Sequence, residues 1–147
     1  MTIIADASVL VAELLRVRGR KLMIDPRLRV VVTEEQWSET RHELNRRLRH
    51  FTGLGHLTTD QIEEIRHDIQ VVVDNAIEVV PGHSYEHMET VARRRVPRDA
   101  NDWPTVALAI ALGAGILTED HDFLGCGCAT WTFETLRDEL AHRETIS

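Results

Sequence analysis

Cysteine is scarce in this chain: Cys126 and Cys128, in a Gly-Cys-Gly-Cys run, are the only two in 147 residues. That excludes a disulfide framework, and a Cys-x-Cys pair cannot complete a tetrahedral zinc site alone. Both are read as reduced thiols in a small-residue loop. His83 and His87 have i, i+4 spacing, but no Glu-x-x-His pattern accompanies them, which weighs against zinc there. Long apolar runs are missing too. The longest, near Val106 to Leu112, is too short to span a bilayer. No basic region precedes Ile3-Ile4-Ala5, so the N-terminus reads as a first strand and not a signal peptide, and the expected location is cytoplasmic. Positive net charge is absent as well. At −7, electrostatics alone would not recruit nucleic acid. The arginines are nevertheless clustered, with Arg41, Arg46, Arg47 and Arg49 in one stretch and Arg93, Arg94, Arg95 and Arg98 in another. Such stretches are either solvated helix faces or local patches on which a phosphate backbone can dock.

What is present is an ordinary globular composition, 43% hydrophobic and 28% charged, in a length that suits one domain over residues 1–147. Thr2 to Asp6 and Leu28 to Thr33 read as short buried strands, Ile77 to Val80 and Gly115 to Thr118 as a third and a fourth strand, with Ala129 to Trp131 as a fifth. Between them lie helical patterns. One starts at Ser8 and ends near Gly19, and one is capped by Thr33 and runs to about Phe51. Another is capped by Thr59 and carries Ile62, Ile65 and Ile69. Ser84 opens a helix through Met88 to about Arg94. Trp103 to Leu112 follows, with Pro104 in its first turn, where a missing N–H costs nothing. Thr132 caps the last helix, which carries Leu136 and Leu140 and has a frayed tail from about Arg143. Alternating strands and helices predict an α/β fold with a mostly parallel sheet. Right-handed crossovers then place the loops after the strands on one edge, where open α/β sheets bind ligands.

Carboxylates fall at that edge. Asp6 ends the first strand, where it either caps the next helix or faces a ligand. Asp102 opens an apolar helix whose dipole favours an ionised group, with Asp99 and Asn101 as rivals for the capping role. Thr118-Glu119-Asp120-His121-Asp122-Phe123 is the densest acidic stretch, and Phe123 looks like an anchor for its loop. Glu35, Glu39 and Glu43 stand on successive turns of one helix, and spacing alone does not choose between them. Carboxylates gathered in this way repel one another unless a hard divalent cation such as Mg²⁺ or Mn²⁺ sits among them. The pattern implies a metal-dependent enzyme acting on phosphate groups.

The order of these segments resembles the PIN-domain ribonucleases, in particular toxins of the VapC type. The segments are Ile-Ile-Ala-Asp-Ala-Ser at Asp6, Trp-Ser-Glu-Thr at Glu39, Asp-Trp-Pro-Thr-Val-Ala-Leu-Ala at Asp102, and Thr-Glu-Asp-His-Asp-Phe at Asp120 and Asp122. The resemblance covers nearly the whole chain. It implies a three-layer α/β/α sandwich and a Mg²⁺- or Mn²⁺-dependent endoribonuclease that leaves a 5′-phosphate and a 3′-hydroxyl. It implies Asp6, Asp102 and Asp120 as primary metal ligands, with Glu39 and Asp122 holding a second ion or positioning the water. Thr118 and Ser8 would support the ligands, while Glu35, Glu43 and Asp99 remain rivals to them. Arg41, Arg46 or Arg98 would hold flanking phosphates. A small antitoxin partner and a homodimer are also implied. Two other functions compete. One is a PIN domain serving as a non-catalytic RNA- or protein-binding module, against which the complete acidic set argues. The other is a phosphatase of the haloacid dehalogenase type. That chemistry needs a second Asp where this chain has Ser8, and a downstream Lys where only Lys21 exists.

Overall fold

A computed structural model describes residues 1–146. Its centre is a five-stranded sheet in the order β3-β2-β1-β4-β5, with every pairing parallel. The strands are β1 (Thr2–Ala5), β2 (Arg29–Thr33), β3 (Ile77–Val80), β4 (Gly115–Leu117) and β5 (Thr130–Trp131). The helices are α1 (Ala7–Leu14), α2 (Val17–Met23), α3 (Glu34–Gly53), α4 (Thr59–Ala76), α5 (Glu89–Arg95), α6 (Trp103–Leu112) and α7 (Phe133–Ile146).

Alternation along the strands builds two cores. Ile3, Ala5, Val30, Val32 and Leu117 point to one face, where they meet Leu10, Leu14, Leu44, Ile69 and Leu136 from the helices. Ile4, Val31 and Ile116 point to the other, under Ala92 of α5 and Val106, Ala107 and Ala109 of α6. Each fully buried Val, Leu or Ile contributes about 1.5–3 kcal/mol, so two-sided burial sustains the central strands β1, β2 and β4, of only three to five residues, while β3 and β5 at the edges are more exposed. The small side chains of α6 let that helix lie close over β1 and β4. Its end is set by Gly113, whose left-handed φ of 60° suits glycine.

Most strand and helix ends fall within one or two residues of the sequence expectation, and four departures bear on the structure. The first helical stretch is two helices, and Gly19 lies inside the second of them. A Cβ on Gly19 would stand 2.0 Å from the Glu13 carbonyl oxygen, so its hydrogen lets α2 turn back against α1. Thr58, not Thr59, caps α4, in a reciprocal capping box with Gln61. The stretch from Gly82 to Met88 forms two 3₁₀ turns before α5 begins at Glu89. His83 and His87 therefore lie in separate turns and not on one α-helical face. The last helix continues to Ile146 past the expected fraying at Arg143. No helix among the described residues is long and apolar enough to cross a membrane.

Candidate metal centre

Strand order reverses between β1 and β4, the crevice at which ligands bind in open α/β sheets. Asp6 follows β1 at this point, and its N–H donates to the Leu117 carbonyl of β4 at 3.1 Å. The Asp6 carboxylate has two roles. Its Oδ1 accepts the Val9 N–H at 3.0 Å, capping α1, and the Ser8 hydroxyl at 2.8 Å. Its Oδ2 accepts a short hydrogen bond from the Thr118 hydroxyl. Thr118 Oγ1 in turn accepts the Asp120 N–H at 2.9 Å. Asp120 Oδ1 accepts the Asp122 N–H at 2.9 Å. One hydrogen-bonded line thus joins the ends of β1 and β4. Phe123 anchors the loop beyond it, buried in the second core.

Asp102 enters from the opposite wall, at the N-terminus of α6. It occupies the capping position, yet its side chain makes no capping hydrogen bond. The residue is 8% exposed and its Oδ2 is buried without a partner. Burial raises its pKa to about 6, and the charges of Asp99, Asp120, Asp122 and Asp6 push in the same direction. Carboxylate oxygens of Asp102, Asp120 and Asp122 can all lie within 4.8 Å of one another.

Asp6 and Glu39 stand outside that tight set but line the same cleft of about 220 Å³ as Asp102 and Asp120. Ser8 is also in its wall. Glu39 is exposed, and its carboxylate has no hydrogen-bond partner among the described residues. Its neighbours on α3 are committed elsewhere. Glu35 accepts the Tyr85 hydroxyl at 2.5 Å, and Glu43 pairs with Arg46 at 2.6 Å and Arg47 at 3.1 Å. Asp99 does line the cleft, with Oδ1 accepting the Asn101 N–H at 2.8 Å. Gln36 is a cleft residue that sequence reasoning passed over. Its Oε1 accepts the Ala7 N–H at 2.6 Å and ties the start of α1 to α3. Its place three residues before Glu39, on the same helix face, was the available signal.

A model of the PIN domain family matches residues 4–141. The chain belongs to the PIN domain family. PIN domains are generally metal-dependent nuclease modules. Among solved structures, PAE2754 from Pyrobaculum aerophilum is similar to this PIN domain with a TM-score of 0.63 and 19% identity, covering 97% of this chain and 90% of that one. At that identity the likeness concerns the fold alone. No curated protein matches.

The donor set suits a hard divalent cation. All candidate ligands are carboxylate oxygens, and the orphaned Oδ2 of Asp102 is a buried acceptor that faces the cleft with no protein donor, free to take a cation. The thiols lie apart from this chemistry. Cys126 is buried and Cys128 half-buried, and both are free. Among the described residues, the acidic set is the one group of three or more potential ligands close enough to share an ion.

Proposed function

We propose that this PIN domain is a Mg²⁺- or Mn²⁺-dependent endoribonuclease, and that it acts in the cytoplasm as the toxin of a toxin–antitoxin pair. The observation that carries the catalytic part is the buried, unpartnered Asp102 Oδ2 in a cleft shared with other carboxylates. Asp6, Asp102 and Asp120 would hold the ion, and Glu39 and Asp122 would hold a second one or the attacking water. Bound there, a divalent cation lowers the pKa of water and offsets charge on the scissile phosphate. The residues supply the rest. Thr118 and Ser8 hold the Asp6 carboxylate in one orientation. Glu39, unpaired on the exposed side, would accept a proton from the water. Water forms the new O–P bond, the P–O3′ bond breaks, and the 3′-oxygen takes up a proton. The products are a 5′-phosphate and a 3′-hydroxyl.

The toxin role, the antitoxin and a homodimer rest on the family resemblance. A small reading frame beside the gene whose product co-purifies with this chain would support that part. Cleavage is tested with a pool of cellular RNA and the purified chain, with Mg²⁺ and with EDTA. Metal-dependent cleavage is expected in the wild type. Asp6→Asn and Asp102→Asn are expected to lose it by about 100-fold or more while keeping the wild-type circular dichroism spectrum. Full activity in either variant would remove that carboxylate from the mechanism. No cleavage by the wild type would leave the non-catalytic binding module as the better reading.

A further inference from the structure

Beside the carboxylate cleft, α1 and α3 enclose a second hollow of about 360 Å³. The two share Ala7, Ser8 and Glu39 as walls, so one opens next to the other. Farther out, the second hollow is lined by Val11, His42, Glu43 and Arg47. Glu39, His42, Glu43 and Arg47 recur at helical spacing, so one face of α3 runs from the metal site outward for about 12 Å. Charge changes sign along this path, from carboxylates at one end to a guanidinium at the other.

Glu43 does not cancel that guanidinium. Its Oε1 accepts Arg47 Nε at 3.1 Å, and Arg46 donates to the same carboxylate at 2.6 and 2.9 Å. Two arginines therefore share one acid. The hydrogen bonds from Arg46 and Arg47 keep Glu43 ionised, with its pKa lowered to about 2. The pair engages Nε and leaves the terminal nitrogens of Arg47 without a hydrogen bond among the described residues. Such a fork suits two oxygens of one phosphate. His42, exposed one turn before Arg46, offers a ring on which an unstacked base can lie. The other basic residues expected at the phosphates are placed differently. Arg41 lines a separate groove between α3 and α4, and Arg98 stands 3.7 Å from Asp122.

The geometry points to the α1–α3 hollow as the binding track for single-stranded RNA flanking the scissile phosphate, with Arg47 gripping one phosphate and His42 under one base. This rests on the nuclease reading of the adjoining cleft. The shared walls of the two hollows and the change of charge argue for one strand passing along both.

The test uses the full chain, fluorescent random-sequence single-stranded RNA and an Asp102→Asn background that blocks cleavage. Arg47→Ala is expected to weaken binding by about tenfold. It should also make the slope of log affinity against log salt shallower by about 0.7, the value for one phosphate contact on a single strand. His42→Ala should weaken binding with the slope unchanged. Arg49→Ala, an exposed change on the same helix, should do neither. Crosslinks from 4-thiouridine in the probe should map to the α3 peptide containing His42. Wild-type affinity and slope in Arg47→Ala would overturn the track, as would a chain that binds no RNA. Cleavage is measured in parallel on chains with Asp102 intact. RNA binding that depends on Arg47 without any cleavage overturns only the catalytic reading, and cleavage indifferent to Arg47 overturns only the track.

Discussion

Asp102 is where burial and like charge act on one side chain. Its folded pKa of about 6 lies above the ordinary 3.8, so folding favours the neutral form. That contribution is complete below about pH 3.8 and is lost as pH rises through about 6. The metal-free chain should therefore lose thermal stability between those values, and Asp102→Asn should flatten this part of the Tm–pH curve. Divalent-metal affinity should run the opposite way, rising as pH climbs through about 6, because the proton must leave before an ion can bind. Calorimetric Mn²⁺ titrations at several pH values check the second half. Thr118 offers a cleaner change. Its hydroxyl links Asp6 Oδ2 to the Asp120 N–H, so Thr118→Val frees both at once. Mn²⁺ affinity should fall about 10- to 100-fold, and Thr118→Ser should restore most of it. Unchanged affinity in Thr118→Val would mean that the hydroxyl serves packing alone. At this scale the sequence was readable where a residue's role follows from adjacency to a strand end, as for Asp6 and Thr118. Gln36 shares the helix face of Glu39, but its bond to the Ala7 N–H depends on α1 and α3 meeting, which that local spacing does not encode.

Among the elements, β2 and α6 stood out clearly in the sequence. Val30-Val31-Val32 is the β-branched run expected of a strand covered on both faces, and Pro104 and Gly113 punctuate α6 at both ends. The break between α1 and α2 was hidden, because Gly19 looks like a terminator from its neighbours alone. Its actual role is a close approach: a Cβ there would lie 2.0 Å from the Glu13 carbonyl oxygen and 2.5 Å from its carbon. Gly19→Ala should cost about 1–3 kcal/mol, as overpacking does. Gly53 closes α3 with open space where a methyl would go, nothing lying within 4 Å, and with no left-handed φ. Gly53→Ala should stabilise by about 0.4–1 kcal/mol through the unfolded chain. Urea titrations of the two variants should move in opposite directions. A shared sign would mean that the α1–α2 corner relaxes around the new methyl, and that close approach does not explain the glycine.

For the whole molecule, the order β3-β2-β1-β4-β5 decides what the acids can do. An alternating pattern predicts a parallel sheet, but strand order comes from which helices cover which face, and that is settled by long-range packing. The order brings Asp6 and Thr118 together across 112 residues, and sets α3 and α6 on opposite sides of the crevice. The candidate ligands thus come from segments that the unfolded chain holds far apart. A cation bound among them binds the fold and not the random coil, so binding must appear as stability. At a metal concentration 100 times Kd the gain is about 2.7 kcal/mol. For a chain of this size that corresponds to a Tm increase of roughly 5–10 °C. Net charge of −7 supplies a rival cause, because salt relieves self-repulsion anywhere on the surface. The two causes separate by concentration and by variant. Millimolar MgCl₂ should raise Tm against NaCl of equal ionic strength, EDTA should reverse the rise, and Asp102→Asn should abolish most of it. Neutralising an exposed acid remote from the cleft, as in Glu63→Gln, should leave the rise intact. Equal shifts with sodium and magnesium would assign the effect to general screening, and the crevice would then be an acidic edge that holds no ion.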